Sequence, residues 1–101
     1  MARVRQERCV SVKYFAKVRE ITGKKEEKIE ISGRMSVQEF LAKLFSKYGQ
    51  QLREFVLHDN GELRQNIGIL VNGSPVDRSD TGKVYVGASD VFVILPPIAG
   101  G

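Results

Sequence analysis

The sequence predicts an α+β fold in which a small mixed sheet packs against one main helix. Short segments near both ends alternate apolar and polar residues, as half-buried strands do. A broad apolar stripe at spacings of three and four occupies the middle, and a run apolar at every position comes near the end.

The first strand is expected from Cys9 to Ala16, where Val10, Val12 and Tyr14 alternate with Cys9, Ser11 and Lys13. Lys17 to Thr22 suits a short helical turn with Val18 and Ile21 on the core, and Gly23-Lys24-Lys25 suits a turn. Glu27 to Ile31 alternates again and puts Ile29 and Ile31 on one face, so the two strands form a hairpin with a long connection. Ser36-Val37-Gln38-Glu39 has the pattern of a capping box: the Ser36 hydroxyl accepts from the Glu39 amide while the Glu39 carboxylate accepts from the Ser36 amide. A helix comes next, with Val37, Phe40, Leu41, Leu44, Phe45 and Tyr48 on its buried side, Lys43 and Lys47 opposite, and Gly49 as its stop. Leu52, Phe55 and Val56 keep helical spacing through Gln50 to His58, a second short helix or an irregular arm, and Asp59-Asn60-Gly61 closes it. Ile67 to Val71 is a strand entering the Asn72-Gly73 hairpin turn, with Ser74-Pro75-Val76 beyond. A polar loop then leads through Val84-Tyr85-Val86 to a turn at Gly87-Ala88-Ser89-Asp90. Val91 to Leu95 suits a central strand, and Pro96-Pro97 ends it because neither proline can donate to a ladder. The order is β-β-α-β-β. By this division 1–8 are a basic leader, 9–97 one domain, and 98–101 a flexible Gly-Gly tail.

Composition narrows the function. One domain fits in 101 residues, and 42% apolar content is too high for a disordered segment. No apolar run approaches the ~20 residues of a membrane span, and the leader lacks a secretory apolar stretch, so a soluble, cytoplasmic protein is expected. A single cysteine, Cys9, and a single histidine, His58, make neither an intramolecular disulfide nor a Cys/His zinc site. The net charge of +4 permits nucleic-acid binding, but the basic residues are spread along the chain and mixed with acids, as in Lys24-Lys25-Glu26-Glu27-Lys28. A solvated surface is the simpler reading.

The informative residues come last. Ile98-Ala99-Gly100-Gly101 stand after the two prolines, and at ~7% glycine usage a chain ends in Gly-Gly only about once in two hundred times. Two glycines without Cβ atoms can thread a narrow channel and leave the α-carboxylate sterically free. The prolines launch an extended exit, from which four residues reach at most ~13–14 Å.

Val12-Lys13-Tyr14-Phe15-Ala16-Lys17-Val18-Arg19-Glu20, the helix opened by Ser36-Val37, Val71-Asn72-Gly73 and the ending Phe92-Val93-Ile94-Leu95-Pro96-Pro97-Ile98-Ala99-Gly100-Gly101 together resemble the MoaD/ThiS family of ubiquitin-like sulfur carriers, on its MoaD side. The resemblance implies a ubiquitin-like β-grasp fold and makes Gly101, with Gly100 before it, the site of chemistry. A carboxylate is a poor electrophile, so in this family a MoeB-like enzyme of the ubiquitin-activating type adenylates the C-terminus with ATP. A sulfur donor then displaces AMP and leaves a thiocarboxylate. In molybdopterin synthase the tail enters a MoaE-like large subunit, where its sulfur attacks the pterin precursor. Catalytic side chains are thus expected on the partner, and this chain is expected to hold no stably bound cofactor and no metal. One departure stands out: where the family carries a Gly-Asp-Glu type turn before the last strand, this chain has Ala88-Ser89-Asp90-Val91.

The period of two divides the last strand, and resemblance puts Phe92 and Ile94 against the helix, leaving Val93 and Leu95 on the open face. With Leu70 from the preceding strand and the tail residues Pro96, Pro97, Ile98 and Ala99, they form the expected partner surface. Tyr14 and Phe15 point to opposite faces, one to the core and the other to a partner or the leader. Cys9 and His58 are read as packing or surface residues, and Arg19 and Glu20 as exposed charges on a turn. The same tail would equally serve a protein modifier conjugated to lysines, or a sulfur carrier for tRNA thiolation or thiamine synthesis. A nucleic-acid module is disfavoured, because no strand interleaves aromatic and basic residues.

Overall fold

The structure is a computed structural model and describes residues 8–95. Its elements are β1 (Cys9–Tyr14), α1 (Ala16–Thr22), β2 (Glu26–Glu30), β3 (Met35–Ser36), α2 (Val37–Tyr48), α3 (Gln50–Val56), β4 (Gly68–Val71), β5 (Ser74–Pro75), a 3-10 turn (Arg78–Asp80), β6 (Tyr85–Val86) and β7 (Val91–Leu95). Five strands form a mixed sheet in the order β2-β1-β7-β4-β5, while β3 and β6 make a separate two-stranded ladder. The first and last strands pair in parallel, and the other pairs are antiparallel. The leader residues 1–7 and the tail Pro96 to Gly101 lie outside the described residues. Arg8, placed in the leader from sequence, already contributes its carbonyl to the Ile31 amide at 2.9 Å.

The capping box forms as expected: the Ser36 hydroxyl accepts from the Glu39 amide at 3.1 Å, and the Glu39 carboxylate accepts from the Ser36 amide at 3.0 Å. It starts α2 directly after β3, and the stripe Val37, Phe40, Leu41 and Leu44 is buried against the sheet. Facing it are Val10, Val12 and Tyr14 of β1, Ile69 of β4, and Phe92 and Ile94 of β7. The Phe40 and Phe92 rings meet edge to face, with centroids 4.8 Å apart.

Some boundaries differ from expectation. Strand β1 stops at Tyr14 and not at Ala16, because Phe15 becomes the N-cap of α1 and Ala16 turns the chain with φ +49°. The expected helical turn is a full helix, Ala16–Thr22, with Val18 buried and Ile21 partly buried. Strand β2 lies one residue earlier than read, although Ile31 stays buried beyond it. The arm after Gly49 is helical, Gln50–Val56, and buries Leu52 and Val56. The β3–β6 ladder has no sequence signal, since two-residue strands are too short to show a period.

A polar hub near the β1–α1 turn has no sequence signal either. The Glu27 side chain is only 8% exposed, and it accepts from Tyr14 at 2.5 Å, Lys47 at 2.7 Å and Lys24 at 3.1 Å, as well as from the Tyr48 hydroxyl. One carboxylate thereby ties β2 to β1, to the α1–β2 turn and to the end of α2. Burial alone would raise its pKa, but the bonds from Lys47, Tyr14, Tyr48 and Lys24 outweigh burial and hold it at about 2, below the ordinary 4.5. Burial and the Glu27 charge push the Tyr14 hydroxyl the other way, strongly upward.

A carboxylate whose pKa falls on folding adds stability that is complete above 4.5 and is lost as pH falls through about 2. Glu27→Gln is expected to lower unfolding free energy by about 2 kcal/mol at neutral pH. The gap to the parent should narrow as pH approaches 2, as read by urea denaturation across pH.

Candidate functional site

Strand β7 sits in the middle of the sheet, which decides where the chain leaves the fold. Its register aligns Val12 with Phe92 and Tyr14 with Ile94 on one side, and Val71 with Phe92 and Ile69 with Ile94 on the other. All of these face the helices. On the opposite face Leu70 lies across from Val93 and Gly68 from Leu95, with Lys13 on the far side of Val93. The structure therefore brings Leu70, Val93 and Leu95 together as expected. Val93 is 9% exposed but outside the main core cluster, so its cover is its neighbours on the open face, while Leu70 and Leu95 are half-buried. The Leu95 Cβ lies 3.5 Å from the point where a Cβ on Gly68 would stand, so this side chain spreads over the glycine.

The entry to β7 is clamped by two side chains. Asn72, in the hairpin turn, donates through Nδ2 to Asp90 Oδ1 at 3.0 Å and accepts from the Val91 amide at 2.9 Å. Asp90 Oδ2 accepts from the Gly87 amide at 2.8 Å. The turn thus keeps its Asp where the family pattern expects it. Ser89, beside it, holds φ +76°, a backbone region that a glycine would occupy without strain. Its amide donates to the Cys9 carbonyl at 2.9 Å, so the departure from the family turn is absorbed by strain at one residue.

The Tyr14/Phe15 alternative resolves cleanly: Tyr14 is 1% exposed and Phe15 is 42% exposed. Because β1 and β7 run parallel, Phe15 stands at the end of the sheet where β7 finishes. Arg19 and Glu20 are exposed on α1, the helix that starts there. Cys9 lies at the other end, two residues before the level of Val91 and roughly 20 Å along the strand direction from the level of Leu95. His58 is half-buried in the arm after α3, and its amide donates to the Glu62 carbonyl at 2.7 Å. Pro96, Pro97, Ile98, Ala99, Gly100 and Gly101 lie outside the described residues.

The two faces of β7 should respond differently to substitution. Ile94→Ala is expected to cost about 2–5 kcal/mol because it empties a packed site. Leu95→Ala should cost about 1 kcal/mol, and Leu95→Asp should keep the folded circular dichroism spectrum. Unfolding by Leu95→Asp would show that the open face is core.

A family model described as the ThiS family matches residues 12–101. Small archaeal modifier protein 1 of Haloferax volcanii is 28% identical over 89 residues, covering 88% of this chain and 97% of that protein. Its crystal structure has a TM-score of 0.77, covering 92% of this chain and 99% of the other. A putative molybdopterin converting factor, subunit 1, from Pyrococcus furiosus has a TM-score of 0.70 at 26% identity, covering 89% and 98%. A chain in the crystal structure of the Amycolatopsis orientalis BexX/CysO complex has a TM-score of 0.71 at 28% identity, covering 91% and 99%. These neighbours share the ubiquitin-like β-grasp architecture, with its mixed sheet and helices. With its last strand in the centre of the sheet and the family match running through Gly101, the chain belongs to the ThiS family of ubiquitin-like small modifiers and sulfur carriers.

Proposed function

We propose that the chain is a sulfur carrier acting as the small subunit of molybdopterin synthase, with its chemistry at Gly101. The observation that carries this reading is the central strand β7, which runs beside the open Leu70–Val93–Leu95 face directly into Pro96-Pro97-Ile98-Ala99-Gly100-Gly101. A Gly101 carboxylate oxygen attacks the α-phosphorus of ATP on a MoeB-like adenylating enzyme and releases pyrophosphate. The mixed anhydride is then open to a sulfide-level donor, whose sulfur forms the C–S bond as AMP leaves; if the donor is a persulfide, the acyl disulfide it forms is cut by a thiol reductant, which leaves the sulfur on the chain. The thiocarboxylate is a better nucleophile than the carboxylate it replaces, and it is presented to the pterin precursor inside a MoaE-like subunit. Catalytic side chains reside on these partners; this chain contributes the core, the docking face and the terminus. Among the described residues no helix is long and apolar enough to cross a membrane.

The relation to a putative molybdopterin converting factor subunit supports this acceptor. A second reading, a modifier joined through Gly101 to lysine amines, is favoured by the relatives named as small archaeal modifier proteins. Both readings share the adenylation step.

Deleting Gly101 or appending one residue after it is expected to reduce ATP–pyrophosphate exchange by a cognate adenylating enzyme by about two orders of magnitude. Unchanged exchange with either variant would remove the terminus from the mechanism. Branched peptides in which the segment from Val84 to Gly101 is joined through Gly101 to lysines of other proteins, found by tryptic digestion and mass spectrometry of the host, would favour the modifier reading.

A further inference from the structure

One edge of the sheet lies away from the hairpin β4–β5. Strand β2 is an edge strand. The Tyr14 amide donates to the Lys25 carbonyl at 2.8 Å and the Ile31 amide to the Arg8 carbonyl at 2.9 Å. In an antiparallel ladder these bonds make Lys25, Glu27, Ile29 and Ile31 the residues that exchange hydrogen bonds with β1. The backbone N–H and C=O groups of Glu26, Lys28 and Glu30 therefore point outward, and among the described residues nothing pairs with them.

Beside this edge runs a trough between β2 and α2, lined by Lys28, Ile29, Glu30, Lys43, Ser46 and Lys47. Lys47 already binds Glu27, but Lys43 makes no ion pair among the described residues, and Lys28 bonds only Ser11 Oγ, at 3.3 Å. Lys43 and Lys47 stand about 6 Å apart along the helix. Alternate residues of an extended chain repeat at about 6.6 Å, so two acidic side chains on the same face of a bound strand can each meet one lysine.

A second copy of this chain is a poor occupant. Antiparallel pairing of two β2 edges about Ile29 does set Lys28 against Glu30 in both directions, but on the helix side it offers Lys43 and Lys47 only Glu27, already bound within its own chain, and the apolar Ile29 and Ile31. We infer that the β2 edge binds an extended acidic segment of a partner protein, added to the sheet as a strand beside β2, with acidic residues at alternate positions directed at Lys43 and Lys47. The site is separated from β7 by β1, so it can be filled while the terminal strand and its open face are engaged elsewhere.

The test uses the full chain, isotopically labelled, titrated with an N-acetylated, C-amidated peptide of alternating Glu and Val. The expected result is chemical-shift change and slowed hydrogen exchange at the Glu26, Lys28 and Glu30 amides. Affinity should fall as salt rises, and should drop about tenfold in Lys43→Glu, a surface variant whose fold is checked by circular dichroism. A matching Lys-Val peptide is expected not to bind. Absence of binding, shifts confined to the Leu70–Val93–Leu95 face, or unchanged affinity in Lys43→Glu would each overturn the inference.

Discussion

Parallel pairing of β1 with β7 holds this molecule together. Strand β7 is what joins the β2–β1 ladder to the β4–β5 hairpin; without it the sheet separates into two ribbons, each too small to bury a helix. It also supplies Phe92 and Ile94, the floor on which Phe40 and the rest of the α2 stripe rest. A parallel pair needs a crossover connection, and here that connection is nearly the whole chain between Tyr14 and Val91. The first and last strands are therefore brought side by side, and the chain passes Leu95 from the centre of the sheet. Under the proposed function, in which the chemistry is at the end of the chain, this gives that end a fixed base.

Polar contacts set the two ends of that central pair. At the start of β7, Asn72 and Asp90 lock the β4–β5 hairpin to the last turn, so the register of β7 against β4 is held by side chains as well as by the ladder. At the other end, Glu27 gathers hydrogen bonds from two tyrosines and two lysines where β1, β2 and α2 converge. The open Leu70–Val93–Leu95 face lies on the side of the sheet away from α2. That face is left apolar and flanked by Lys13, which suits a surface that closes on a partner.

The parts of the fold that rest on local periodicity were legible in the sequence. The alternation of Val10, Val12 and Tyr14, the capping box at Ser36 and Glu39, the stripe from Val37 to Leu44, the Asn72-Gly73 turn and the apolar run from Val91 each specify an element without help from tertiary structure. Assigning Phe92 and Ile94 to the helix side and Val93 and Leu95 to the open side came from the period of two, once resemblance had set which side was which. The β3–β6 ladder was not legible, because each strand is two residues long. Nor was the Glu27 hub, since Tyr14, Lys24, Lys47 and Tyr48 converge only after folding and the local string of lysines and glutamates reads as solvated charge. Ser89 shows the same limit in a turn: its left-handed backbone goes with an amide bond to the Cys9 carbonyl, a partner that is far away in sequence.

A chain this small is coherent as a carrier if its reactive group is its own terminus. The fold then provides a rigid exit, an apolar face and, on the β2 edge, a separate basic trough, while partners carry out the chemistry. The most direct measurement is the intact mass of the protein purified from its native host under conditions that protect thioacids. The expected result is a population heavier by the exchange of one oxygen for sulfur, with the change mapped by fragmentation to Gly101. A chain that carries only an unmodified carboxylate, in cells actively making the sulfur-containing product, would contradict it.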